Sequence, residues 1–234
     1  MNYAYREFDN VLTSSLGEDY DRVKYLDRVT DTNFVYGGLN LVYGLTGVGK
    51  SYQLVVALSK ASLSVPTAYF ETDIGSCVRF ADHCASNDVM YVSREALLKY
   101  REGNYKTSTL LDATLNLIAT TIEDLRAYDR DCRPIFVFDS ISSMCEGQDI
   151  NNYENTYTLF HKLNKHASTL NYCLIIIDNA VRLYNANGEE HGFKLEGKAE
   201  LKKQATITTS RYTPISYRKP EKGGYFALEK TKLR

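Results

Sequence analysis

Apolar positions along this chain gather into short runs separated by longer stretches of helical length. Leu39 to Tyr43 is an apolar run of strand length, Lys50 to Ser62 reads as a helix, and Thr67 to Glu71 as a second strand, giving a β-α-β opening. The pattern continues with a helix over Cys77 to Ala85, a strand over Asp88 to Val92, and helices over Arg94 to Arg101 and Thr109 to Arg126. In the last of these, Leu110, Leu111, Leu115, Ile118, Ile122 and Leu125 recur near helical spacing, which marks a stripe facing a core. Pro134 stops helix propagation and introduces Ile135-Phe-Val-Phe-Asp139, the unbroken apolar run of a strand buried on both faces. Tyr153 to Leu170 predicts another helix and Cys173 to Asp178 another buried strand. Strand and helix alternate as they do around a parallel sheet.

Past Asp178 the pattern changes. A stretch rich in Asn, Gly and Glu, Tyr184 to Gly192, predicts a loop, followed by a short helix near Lys198 to Lys203. Thr206 to Tyr212 and Gly224 to Lys230, on either side of a Pro-Glu-Lys-Gly turn, predict an antiparallel hairpin that extends the sheet. Neither an internal repeat nor a low-complexity linker divides the chain, so residues 34 to 234 read as one domain preceded by an N-terminal appendage, residues 1 to 33.

Composition narrows the class. Hydrophobic residues at 44% and charged residues at 24% are ordinary globular values. The longest apolar runs are strand-sized, well short of the roughly 20 residues needed to span a bilayer, so no membrane association is expected. The N-terminal residues mix acids with aromatics and contain no apolar signal core, which predicts an intracellular protein. Five cysteines without a C-x-x-C pair argue against a disulfide framework or a zinc knuckle, and the four histidines share no metal-ligand spacing. The net charge of −1 conceals an asymmetry: four basic against seven acidic side chains in residues 1 to 33, and eleven basic against four acidic in residues 193 to 234.

The chemistry lies at strand ends. Gly44-Leu45-Thr46-Gly47-Val48-Gly49-Lys50-Ser51 fits the G-x-x-x-x-G-K-[ST] pattern between a strand and a helix. Its glycines let backbone N–H groups turn inward toward phosphate oxygens, and the dipole of the following helix favours the same negative charge. Lys50 would neutralise β- and γ-phosphate charge, the Ser51 hydroxyl would bind Mg²⁺, and Tyr52, which comes next, is expected among the nucleotide-binding residues. Asp139, closing its apolar strand, would hold Mg²⁺ through water. In Ala68-Tyr-Phe-Glu71-Thr-Asp73, either Glu71 or Asp73 could orient or deprotonate a water attacking the γ-phosphate. ATP and Mg²⁺ are the expected cofactors.

In this order the parts resemble the RecA-like ATPase family, which includes bacterial RecA, RadA-type recombinases and DnaB-type helicases, and the resemblance covers residues 33 to 234. It implies a RecA-like P-loop NTPase fold of the α/β class, with a mainly parallel central sheet flanked by helices and a C-terminal antiparallel hairpin. The family's catalytic glutamate falls on Asp73, a shorter carboxylate, with Glu71 in reserve. Asp139-Ser140-Ile141 resembles the recombinase branch. The family's γ-phosphate-sensing glutamine falls on Asn179, a shorter amide. Lys230 and Lys232 resemble a spaced basic pair that reaches a neighbouring subunit's nucleotide and stabilises transition-state charge there.

The same resemblance implies a homo-oligomer, filament or ring, with the loops Ser142 to Asn152 and Val181 to Glu196 turned toward single-stranded DNA. Arg182, Tyr184, Phe193 and Lys194 have suitable chemistry for phosphates and bases, while Glu146, Asp149, Glu189 and Glu190 oppose it. The expected function is a DNA-dependent ATPase of the recombination or strand-annealing kind, and the short chain suggests a minimal viral or archaeal paralogue. It would work in the cytoplasm or on the nucleoid, or in the host cytoplasm if viral. The motor of a ring helicase or packaging translocase, and a KaiC-like or recombinase-accessory module with slow turnover, are the alternatives.

Overall fold

The computed structural model describes residues 27–29, 32, 34–72, 78–106, 108–145, 153–188, 190–195, 205–212 and 228–233. Strand β1 (Leu39–Gly44) leads into helix α1 (Lys50–Ser62) and strand β2 (Thr67–Glu71). Helix α2 (Val78–Ala85) precedes β3 (Met90–Val92), followed by α3 (Arg94–Asn104) and α4 (Leu110–Tyr128). Next come β4 (Ile135–Asp139), a single turn α5 (Ile141–Met144), α6 (Tyr153–Leu170) and β5 (Cys173–Tyr184). Strands β6 (Glu190–Leu195), β7 (Ile207–Tyr212) and β8 (Leu228–Leu233) complete the described chain.

The eight strands form one sheet in the order β3-β2-β4-β5-β1-β7-β8, with β6 paired to β5 off that path. Strands β3, β2, β4, β5, β1 and β7 are mutually parallel, and β8 runs antiparallel to β7. The fold is therefore mixed α/β with a mostly parallel sheet and a C-terminal hairpin. The apolar runs account for this: a strand flanked on both faces by helices must be apolar on both, and β1, β2 and β4 are buried almost throughout.

Strand alternation sorts those side chains into two cores. Leu39, Leu41, Phe70, Phe136, Phe138, Leu174 and Ile176 face α3, α4 and α6, where Leu97, Ile118, Phe160 and Leu163 cover them. Val42, Tyr69, Ile135, Val137, Ile175 and Ile177 face α1 and α2, where Leu54, Val55, Leu58, Phe80 and Cys84 cover them. Val29 joins this second core, and Arg28 forms a bridge with Val35, so these two residues are packed against the domain.

Asn40 is a polar residue with no exposed surface inside the sheet. It is fully buried on β1, where its amide donates to the carbonyls of Val35 and Leu174 at 3.0 Å each and its oxygen accepts from Val35 N–H at 3.0 Å. Those bonds tie the segment entering β1 to β5. Burial without them would cost several kcal/mol, so Asn40 fixes where β1 begins.

Two departures from the sequence pattern stand out. Strand β5 continues six residues beyond Asp178, to Tyr184, and pairs antiparallel with β6. The stretch expected as a loop over Tyr184 to Gly192 is mostly a hairpin, whose turn at 185–188 is closed by Gly188 N–H to Asn185 O at 3.0 Å with Gly188 at φ 77°. Helix α3 also runs three residues past Arg101, to Asn104. The helix expected over Lys198 to Lys203 and the Pro-Glu-Lys-Gly turn lie outside the described residues.

Candidate nucleotide-binding site

Strands β1, β2 and β4 end on one side of the sheet, level with the middle of β5, and the first group of candidate residues sits at or just beyond those ends or, for Asn179, alongside them on β5. The 44–51 loop is built by two demands on the backbone. Gly47 and Gly49 adopt φ of 80° and 75°, where a side chain is strained even though a Cβ would meet nothing closer than 4.0 Å. Between them Val48, with Leu45 before them, is buried in the core, while Thr46 and Gly47 stay exposed. The loop is thus pinned by two apolar side chains and presents its tip outward.

Gly49 is also the N-cap of α1, and it supplies no side-chain cap, nor does the first turn contain an acid. Helix-start N–H groups have no intrahelical acceptor, so this one suits an anion.

Lys50 is buried, 8% exposed, and its ammonium donates to three oxygens: Gly44 O at 3.0 Å, Leu45 O at 3.1 Å and Asn179 Oδ1 at 3.0 Å. Asn179 reaches it because β5 lies beside β1 with Asn179 opposite Gly44 in register. Thr46 Oγ1 donates to the same amide oxygen at 3.5 Å. Asn179 N–H is itself held by the buried Asp178 carboxylate at 2.9 Å.

Ser51 Oγ donates to Asp139 Oδ2 at 2.6 Å, joining residues 88 apart in sequence. A hydroxyl has one proton and two lone pairs. With its proton on Asp139, the Ser51 hydroxyl keeps lone pairs able to accept a hydrogen bond or to ligate a cation. The phenol of Tyr69 donates to the same Oδ2. Burial, followed by the Asp139 charge, pushes the Tyr69 hydroxyl well above its ordinary value, so it remains a protonated donor. The Asp139–Ser140 peptide is cis.

Glu71 pairs in register with Asp139 on the adjacent strand and is half-buried. Two residues after Tyr69, it shares the strand face turned toward α1 and α2, where burial and then the Glu71 charge push the Cys84 thiol up to about 12. Thr72, the next residue, donates through N–H to Asp139 O and through Oγ1 to Ser140 O, both at 2.7 Å. Arg94 clamps the same region from α3, donating to Thr72 O at 3.0 Å and Ser143 O at 3.1 Å. Asp73 lies outside the described residues.

Tyr52 is 45% exposed, its ring edge-on to Phe80 at 5.0 Å and tilted against His83 at 4.8 Å. The remaining candidates lie on the later strands. Arg182 pairs in register with Phe193, Val181 with Lys194 and Tyr184 with Glu190 across the β5–β6 hairpin, and Tyr184 is 56% exposed. Lys230 is opposite Ser210 and Lys232 opposite Thr208 on the sheet's outer hairpin.

Lys50 and Ser51 from the start of α1, Glu71 from β2, Asp139 from β4 and Asn179 from β5 are therefore brought to one side of the sheet. Tyr69 and Arg94 belong there as well, and neither was expected from sequence. For Tyr69 the available signal was position, since it lies two residues before Glu71 and so on the same strand face. Among the described residues no group of three or more His, Cys, Asp or Glu side chains could hold a metal ion, and no helix is long and apolar enough to cross a membrane. A scan against protein-family models finds no match, and a search of curated proteins finds none.

Proposed function

We propose that the chain is a RecA-like ATPase that binds Mg-ATP between the 44–51 loop and Asp139 and acts on DNA as an oligomer. The observation that carries the nucleotide reading is the Ser51–Asp139 contact beside Lys50. Two residues 88 apart meet at hydrogen-bond distance in the arrangement that a phosphate-bound magnesium ion requires. The donors fit that ion: a hydroxyl and a carboxylate are hard oxygen ligands, and magnesium keeps several waters and takes phosphate oxygens as partners, so one serine and one carboxylate suffice.

The chain's own residues then divide the work. Loop N–H groups and the α1 N-terminus receive the phosphates. Lys50 would leave its carbonyl partners to meet phosphate charge, and the contact of Asn179 with Lys50 supports a role for Asn179 in registering whether a γ-phosphate is present. Magnesium, when bound, would neutralise charge developing on the transferred phosphoryl group. Glu71 or Asp73 would orient the attacking water, and Lys230 and Lys232 of a neighbouring copy would stabilise the transition state. DNA contact is assigned to the β5–β6 hairpin because it continues directly from Asn179.

The test is an ATPase assay with and without single-stranded DNA, using Lys50→Ala as the blank and Lys230→Ala mixed into wild type. DNA-stimulated turnover that Lys50→Ala abolishes is expected, with a rate that rises with protein concentration. Tight ATP binding with negligible turnover in both conditions would instead establish a regulatory module. A protein that binds no nucleotide would sink both readings.

A further inference from the structure

We infer that Tyr69 is a positioning residue for the divalent cation, one that presets the Asp139 carboxylate before magnesium arrives. The inference rests on the Mg-nucleotide reading of the site and extends it to a residue outside the P-loop and the strand-end acids.

The geometry comes from strand register. Glu71 on β2 is opposite Asp139 on β4, and Tyr69 is opposite Val137. With side chains alternating between faces, Tyr69 and Asp139 share one face and are diagonal neighbours two residues apart. A phenylalanine at position 69 would fill the same volume. The hydroxyl is what reaches Asp139 Oδ2.

Tyr69 cannot turn away from that contact. It has no exposed surface, its ring is edge-on to Phe80 at 4.9 Å, and it belongs to the core between the sheet and α1–α2. Ser51, by contrast, is half-buried and stands in the first turn of α1, at the end of the loop that must close on phosphate. Of the two donors on Oδ2, Tyr69 is the one anchored in the rigid sheet. When Ser51 turns its oxygen to the cation, Tyr69 keeps the carboxylate from rotating. Outer-layer partners of this kind set metal affinity by orienting the ligand.

A purely structural role for the phenol would show as lost stability alone. A positioning role appears in the magnesium dependence of nucleotide binding. The experiment measures ADP affinity of the full chain over a range of Mg²⁺ concentrations, for wild type and Tyr69→Phe, with thermal melts as the control for folding. Metal-free ADP should bind both proteins alike, while the Mg²⁺ concentration giving half of the metal-dependent gain should rise about tenfold in Tyr69→Phe. An unchanged Mg²⁺ midpoint in a folded Tyr69→Phe overturns the inference. Wild-type binding that ignores Mg²⁺ overturns the Mg-nucleotide reading, and this inference with it. Should Tyr69→Phe not fold, 3-fluorotyrosine at position 69 of the otherwise unaltered chain gives a second measurement. Its fluorine resonance should move when Mg²⁺ is added to the ADP complex, and a resonance that stays put overturns the proposal.

Discussion

Asn179→Asp is the substitution that bears hardest on how Lys50 is shared between protein and phosphate. The amide oxygen accepts from the Lys50 ammonium at 3.0 Å, and aspartate would put a full negative charge at that position with little change in shape. Two unit charges about 3 Å apart at an effective dielectric near 20 attract by about 5–6 kcal/mol. Position 179 is half-buried, so desolvation and solvent screening cancel about half of that attraction. About 2.5 kcal/mol of extra hold on Lys50 remains, and phosphate must overcome it, which weakens nucleotide binding roughly 50- to 100-fold. Repulsion between the new carboxylate and the phosphates adds in the same direction. Asn179→Ala separates charge from contact: Lys50 retains its two backbone acceptors, so ADP affinity should stay within about threefold of wild type while preference for ATP over ADP falls. Equilibrium titration with a fluorescent ADP analogue, at one fixed salt concentration, measures both variants. Wild-type affinity in a folded Asn179→Asp protein would refute the argument, because the phosphate charge would then not be received by the Lys50 that Asn179 touches.

Two further substitutions test the framework. Asn40→Ala strands Val35 N–H, Val35 C=O and Leu174 C=O in the core and should cost about 2–4 kcal/mol in urea unfolding; a loss under about 1 kcal/mol would show that water replaces the amide. The His166 imidazole accepts or donates a 2.9 Å bond with Tyr172 OH, and burial, then the Lys162 charge, holds it below its ordinary value. The unfolded chain therefore binds the proton more readily, so this contribution to stability is complete above about pH 6.5 and is lost as pH falls below it toward the folded value. His166→Gln should flatten the melting temperature between about pH 7.5 and 5.5, and an unaltered slope would contradict the assignment.

Legibility in the sequence depends on whether the governing physics is local. The 44–51 loop was legible because its glycines answer a backbone requirement, φ of 80° at Gly47 and 75° at Gly49, that few residues other than glycine meet. Strands β1, β2 and β4 were legible because burial on both faces leaves an unbroken apolar run. The extension of β5 was hidden for the converse reason: Ala180 to Tyr184 mixes polar with apolar side chains and pairs with the equally mixed Glu190 to Leu195, so neither partner carries an unbroken apolar run. Tyr69 was hidden differently. In an apolar run an aromatic residue reads as core, and Tyr69 is core; that its hydroxyl serves Asp139 depends on β2 and β4 being neighbours with Glu71 opposite Asp139.

That dependence also explains why the candidate site is assembled from so many strands. A loop and a helix can cradle phosphates by themselves, but the carboxylate and amide that respond to the metal and the terminal phosphate must come from other strands at the same height. Strand β5 lies between β1 and β4, so Asn179 stands opposite Gly44 while Ile177, two residues earlier, stands opposite Asp139. Under the proposed reading, movement of Lys50 toward phosphate would be felt first by Asn179 on β5. The chain beyond Asn179 runs without interruption into the β5–β6 hairpin, so an altered Lys50–Asn179 contact has a continuous backbone to act through. The Asp139 side of the site is braced by Tyr69 and by the Thr72 and Arg94 bonds to the turn after β4. One side of the candidate site is thus braced by these bonds and the other is connected to the hairpin. A perturbation at Asn179 should accordingly change hairpin-dependent behaviour, whereas one at Tyr69 should change the metal requirement and leave the hairpin alone.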